Sequence, residues 1–164
     1  MKSFSFAPIA SNDATVLILG TMPGTKSLET QQYYGHAQNN FWRFMFEILN
    51  EDFTQDYENK KTLLIKNKIA LWDVLQFCER IGSLDSAIKN EVPNDFEQFL
   101  RQHPNIKTIL FNGQKAAAFF KKHVSVKDNK YQFILLPSTS PANAGKPFES
   151  KLNEWKIIRE FIKY

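Results

Sequence analysis

The sequence contains one cysteine, Cys78, so no internal disulfide can brace the fold. Its three histidines, His36, His103 and His123, are scattered, and with a lone thiol they make no zinc-binding spacing. No apolar run approaches the roughly 20 residues that cross a bilayer. The opening stretch, MKSFSFAPIASND, lacks the apolar segment of a signal peptide. Export is therefore not expected, and a reducing cytoplasm fits the unpaired thiol. With 6 glycines and 7 prolines in 164 residues, collagen-like and linker-like compositions are excluded. There is no internal repeat and no low-complexity tract, so one domain is expected over residues 1–164. Neither a metal nor a cofactor is expected.

What is present is an aromatic-rich chain, with 15 phenylalanines and 14% aromatic residues overall. The formal charge of +4 is modest but unevenly spread. Residues 115–164 carry ten Lys or Arg against four Asp or Glu, whereas residues 1–114 carry eleven against thirteen. The basic end reads either as solvated helix faces or as a polyanion contact.

Four short apolar runs predict buried strands: Ala14–Gly20, Ile69–Val74, Ile106–Phe111 and Gln132–Leu136. Helical spacing of apolar residues predicts helices over Phe41–Leu49, Tyr57–Asn67 and Gln114–His123. A further helix follows from Phe148, Leu152, Trp155, Ile158 and Ile162 on one face. Asn94 and Glu97 resemble a capping box opening a helix that runs to His103. Glu79–Val92 reads as a polar loop, and Thr21–Asn40 as an unusually long irregular one. Strands alternating with helices, each crossover long enough for a parallel connection, predict an α/β fold. The expected form is a three-layer αβα sandwich around a mainly parallel sheet of about four strands. Ligands in such sheets bind beyond the carboxyl ends of the strands. The loops after Gly20, Phe111 and Leu136 all start there.

Three segments could carry chemistry. Gly20-Thr21-Met22-Pro23-Gly24 is a tight turn whose glycines allow close backbone approach to a ligand, or simply a structural turn; it is neither a Walker loop nor a dinucleotide fingerprint. Gln32 to Trp42 crowds rings, a histidine and amides before a helix, as a pocket for a flat heterocyclic base requires. Within it, Asn39 is either a pocket amide or only a helix cap, Tyr34 either a stacking platform or a core ring, and His36 either a proton carrier or a structural hydrogen-bonding group. Leu136 to Ala144 places small hydroxylated residues between prolines, giving a stiff loop that can hold a phosphate or press into a duplex, or else a plain proline-rich turn.

Together these segments give the chain a familiar form. It resembles the uracil-DNA glycosylase superfamily, and within it the hypoxanthine-DNA glycosylase branch (family 6). Gly20 to Gly24, Ser27-Leu28, Tyr33 to Trp42 and Leu136 to Ala144 match that branch's motifs in order. The segments Ala70–Leu75, Gly82–Ser86 and Phe111–Gly113 are also similar. Gly35 and Ala37 stand where the branch has Ala and Pro.

The resemblance implies roles for individual residues. Met22 occupies the position where most of the superfamily has an Asp or Asn handling the attacking water. The essential amide then matches Asn39. Tyr34 matches the ring that stacks on the flipped base. Gly20, Thr21, Pro23, His36, Phe41 and Asn112 join Met22 and Tyr34 in the implied base pocket. Leu136 stands where the uracil-specific family has a catalytic histidine. Ser138, Thr139, Ser140, Pro141 and Asn143 match the loop that contacts DNA and fills the gap left by the extruded nucleotide, with Lys146 adding charge nearby.

The expected activity is hydrolysis of the N-glycosidic bond of a deaminated base in DNA, hypoxanthine first, opening base excision repair. The expected partner is DNA, and the expected state a monomer. Uracil or mismatch specificity is the alternative within the class. Outside it stand a nucleic-acid binding module without catalysis and a hydrolase of free nucleosides.

Overall fold

The fold, taken from a computed structural model, is described for residues 2–126, 128–141 and 145–162. Four parallel strands form the central sheet: β2 (Val16–Gly20), β3 (Ile69–Asp73), β6 (Thr108–Asn112) and β7 (Gln132–Leu136), in the order β3-β2-β6-β7. The first three are buried at every position, which is why they read as unbroken apolar runs rather than alternating ones.

Alternate side chains feed opposite faces. Val16, Ile18, Ile69, Leu71 and Leu110 pack beneath helices α2 (Phe41–Ile48), α3 (Tyr57–Lys66) and α6 (Phe148–Trp155). Leu17, Leu19, Ala70, Trp72, Ile109 and Phe111 pack beneath α4 (Phe96–Gln102) and α5 (Gln114–His123). This is the expected αβα sandwich. The path from β2 to β3 crosses one face, and the paths that reach β6 and β7 cross the other. The chain goes from β2 to β3 on one side and then passes from β3 to β6 on the other side of β2, and this reversal opens a crevice at the carboxyl ends of the strands.

Four expectations are corrected. The segment over Glu79–Val92 is not only loop, because a second, antiparallel sheet joins β1 (Lys2–Phe4), β4 (Leu75–Glu79) and β5 (Lys89–Pro93) in the order β1-β4-β5. Pairing with β4 holds the polar β5, and on the other side of β4 Phe4 of β1 stacks on Phe77, with ring centroids 5.5 Å apart. The cap of α4 is Asp95, whose carboxylate accepts from Gln98 N at 3.0 Å, while the Asn94 amide donates to the Asp73 carbonyl at 2.8 Å. Thr21–Asn40 includes a short helix, α1 (Thr25–Thr30). The final helix gives way to a 3-10 turn over Lys156–Glu160.

Candidate functional site

The ends of β2, β3, β6 and β7 border a cavity of about 510 Å³, within the size range of small-molecule sites. Gly20 lies where no larger residue fits. A Cβ there would stand 2.6 Å from Asp73 Oδ1 and 2.6 Å from Tyr34 Oη. The turn after it is tied to the second sheet's loop. Arg80 Nη2 donates to the Pro23 carbonyl, Thr25 N donates to Ser83 Oγ at 2.8 Å, and Ser83 Oγ donates to Thr25 Oγ1 at 2.9 Å. Thr21, Met22 and Pro23 all line the cavity, and Met22 also packs into the core on the α4–α5 side.

The next wall comes from the residues before α2. Tyr33 is locked into the core: its hydroxyl donates to the Ala7 carbonyl at 2.8 Å, and its carbonyl accepts from Trp42 Nε1 at 2.7 Å. Tyr34 turns the other way because its backbone is left-handed, with φ +54°. Its ring lines the cavity and stacks on Phe41, centroids 4.3 Å apart. Phe41 itself is fully buried in the core and absent from the cavity wall. As the first residue of α2 it points inward and backs the Tyr34 ring rather than lining the cavity itself.

His36 lines the cavity at an exposed position, where Nδ1 accepts from Gln38 N at 3.1 Å. Asn39 stands one residue before the N-cap of α2, which is Asn40. Asn39 Oδ1 accepts from Phe41 N at 3.0 Å, in the manner of an Asx turn opening α2, and the side chain lines the cavity. Arg43 Nη1 donates to the Ala37 carbonyl and to Asn40 Oδ1, each at 3.3 Å. That guanidinium fixes the approach to Asn39 in a segment that has Ala37 rather than proline.

The loop after β7 is held carbonyl by carbonyl. Leu136 O accepts from Gly113 N (2.9 Å), Pro137 O from Trp155 Nε1 (2.9 Å), Ser138 O from Lys151 Nζ (2.9 Å) and Thr139 O from Asn40 N (3.2 Å). Asn112 grips Thr139 twice, its Oδ1 accepting from Thr139 N and its Nδ2 donating to Thr139 Oγ1, both at 2.9 Å. Asn112 thus lines the cavity while acting as the clamp of this loop. Gly113, at φ +96°, lets β6 turn against Ser138, which a Cβ would approach to 3.1 Å. Ser138, Thr139, Ser140 and Pro141 all reach the cavity rim. Asn143 lies outside the described residues. Lys146 is away from the cavity and pairs with Glu154 at 2.8 Å on the surface.

The sequence reading missed the acidic floor. Asp73, at the end of β3, is 3% exposed, and burial pushes its carboxyl up to about 7, with Asp85 adding to the rise and Arg80 opposing it. Burial likewise raises Asp85 against the pull of Arg80, whose Nη1 lies 3.6 Å from Asp85 Oδ1. Burial, then Asp73, holds the Tyr34 hydroxyl above the ordinary phenol range. The nearby Asn112 amide pulls the other way, although it does not reach hydrogen-bonding geometry with that hydroxyl. The available signal was positional, an Asp at the carboxyl end of a strand that ends at the crevice. Among the described residues no cluster of three or more His, Cys, Asp or Glu side chains could hold a metal.

The family model described as the uracil DNA glycosylase superfamily matches residues 7–161. A hypoxanthine DNA glycosylase of Methanosarcina barkeri is 36% identical over 156 residues, covering 94% of this chain and 96% of that protein. One of Methanosarcina acetivorans is 36% identical over 155 residues, covering 93% and 95%. A solution NMR structure from Methanosarcina acetivorans, described as a proposed uracil DNA glycosylase, superposes with a TM-score of 0.81 at 34% identity, covering 96% of each chain. Matched along nearly its whole length in sequence and in fold, the chain belongs to the uracil DNA glycosylase superfamily.

Proposed function

We propose that this protein is a monofunctional DNA glycosylase that hydrolyses the N-glycosidic bond of hypoxanthine in DNA, leaving an abasic site for base excision repair. The observation that carries this reading is the meeting of the Tyr34 ring and the Asn39 amide in one base-sized cavity, beneath a loop held rigidly at its rim. Relatives named for hypoxanthine supply the substrate.

A base can be reached only once it leaves the stack, so the target nucleotide is extruded into the cavity. There it lies against Tyr34, backed by Phe41. Gly20, Thr21, Met22 and Pro23 approach its edge, with His36 at the mouth. The bond breaks through a cationic, oxocarbenium-like sugar, as in other glycoside cleavage. Such a sugar needs a placed water more than a strong nucleophile. Asn39 holds that water. Its Oδ1 has a second lone pair beyond the one taken by Phe41 N, and the turn fixed by Arg43 sets its aim. Ser138, Thr139, Ser140 and Pro141 form the DNA-facing rim, with Asn143 following them in sequence and Lys146 contributing charge to the phosphates.

The protein acts as one domain and as a monomer, in the cytoplasm, where Cys78 stays reduced. No helix among the described residues is long and apolar enough to cross a membrane. The test is a panel of duplexes carrying hypoxanthine, uracil, xanthine or a G·T mismatch, scored as alkali-labile breaks. Hypoxanthine is expected to be cut fastest. Preference for uracil or for the mismatch would move the substrate assignment within the superfamily.

A further inference from the structure

Where β3 ends at the cavity, the fold leaves one oxygen of a carboxyl group without a hydrogen bond. Asp73 Oδ2 is sealed from solvent and has no partner. Oδ1 stands on the Gly20 side, and Asp73 and Gly20 both line the cavity. Tyr34 Oη, facing the same point above Gly20, is also buried and unpartnered. Buried polar groups are almost always satisfied, and leaving one unpaired is costly. Two together at the bottom of a cavity mark where an outside group completes the bonding.

The charged and titratable neighbours decide which form Asp73 takes. Asp85 faces it from the 3-10 turn Asp85–Ala87 and opposes its ionisation. Arg80, at the end of the β4 segment, favours ionisation, but its guanidinium is already engaged by Asp85, the Ser83 carbonyl and the Pro23 carbonyl. Tyr33, Tyr34 and Tyr57 are neutral phenols raised above their ordinary range. With its carboxyl pushed up to about 7, Asp73 keeps a large share of its proton in neutral solution.

We propose that Asp73 is the acid that delivers a proton to the departing base. This rests on the glycosylase reading above. Neither motif offers another acid: Met22 stands in the first, and Leu136 opens the second. In the step, the C1′–N bond breaks and its electron pair goes to the base. The Asp73 proton moves to a ring nitrogen of the base, which leaves neutral. A water oxygen bonds to C1′ and sheds its proton to solvent, and Asp73 takes a proton from solvent before the next turnover. The Tyr34 hydroxyl, beside the carboxyl, donates to the same base edge.

Single-turnover excision of hypoxanthine from a duplex, from pH 5.5 to 8.5, tests this with wild type, Asp73→Asn and Asp73→Ala, each with a thermal melt. Wild type is expected to hold a plateau at low pH and to fall towards tenfold per pH unit above about 7. Asp73→Asn keeps a donor but cannot titrate, so it is expected to be about 100-fold slower at pH 6 and flat with pH. Asp73→Ala is expected to be slower again. The Asn variant should melt no lower than wild type at pH 8, since it removes an unpartnered charge. A wild-type rate in Asp73→Asn, an unchanged pH-dependent fall, or a lower melting point would each overturn the acid role. A wild-type protein that excises nothing at any pH would instead overturn the glycosylase reading itself.

Discussion

Along the loop after β7, each carbonyl from Leu136 to Thr139 accepts a hydrogen bond, and Asn112 binds Thr139 at two atoms. At the floor of the same cavity, Asp73 Oδ2 and Tyr34 Oη have no partner. Both regions are polar, and both line one cavity. The first is a frame, satisfied so that it holds a single shape. The second is held open for a group from outside. A protein that is only marginally stable tolerates unpaired buried atoms where they do work on a substrate.

The largest effect is expected at Asn39, which lines the same cavity and whose neighbour Asn40 donates to the Thr139 carbonyl of the loop. Asn39→Ala removes the water-placing amide and the Asx turn together. On the proposed mechanism, excision falls by at least about 100-fold, while loss of the turn costs about 1 kcal/mol in a chemical melt. A stability loss without a rate loss would make Asn39 a structural turn residue alone.

Asn112→Ala attacks the frame. It removes two buried hydrogen bonds and strips Thr139 N and Oγ1 of their Asn112 partner, for a cost of about 2–4 kcal/mol by denaturant unfolding. The accompanying drop in excision should be regained in part on a single-stranded substrate, which has no stack for the loop to refill. Tyr34→Ala and Tyr33→Ala separate floor from core. The first is expected to lose about 1–3 kcal/mol of base stacking, read as slower excision with little change in melting. The second is expected to show mainly as lost stability.

The stability of the floor itself depends on pH in a definite direction. A carboxyl raised to about 7 in the folded protein, and near 4 when unfolded, binds more protons in the native state between those values. Its contribution to stability is therefore full below about pH 4 and is lost as pH rises through about 7. Asp73→Asn should remove that loss, gaining a few kcal/mol over wild type at pH 8 and nothing at pH 4. The smallest effect is expected at the surface. Lys146 is exposed and already paired with Glu154, so Lys146→Ala should leave excision unchanged in low salt and flatten the salt dependence of DNA binding by about one ion.

The parallel sheet was legible because β2, β3 and β6 are buried on both faces and so spell continuous apolar runs. β5, with the sequence KNEVP, carries no such pattern; its pairing with β4 creates it. The motif loops were legible as loops, yet the side of α2 on which Phe41 falls depends on packing, and it falls inward. Asn39 gave two readings because one oxygen serves the helix while the side chain lines the cavity. Asp73 stayed silent because its chemistry comes from burial and from Asp85, Arg80 and Tyr34, which only the fold brings together. The clamp by Asn112 was hidden for the same reason, since Thr139 is 27 residues further along the chain.

On the proposed function, the cavity over Gly20 and Asp73 receives a deaminated base from DNA. The most direct measurement of this claim is release of free base from a duplex bearing one hypoxanthine, followed by alkali cleavage of the strand. The account predicts free hypoxanthine in a one-to-one ratio with a break at that nucleotide, and neither product from an undamaged duplex. Binding of the duplex with no base released would contradict it.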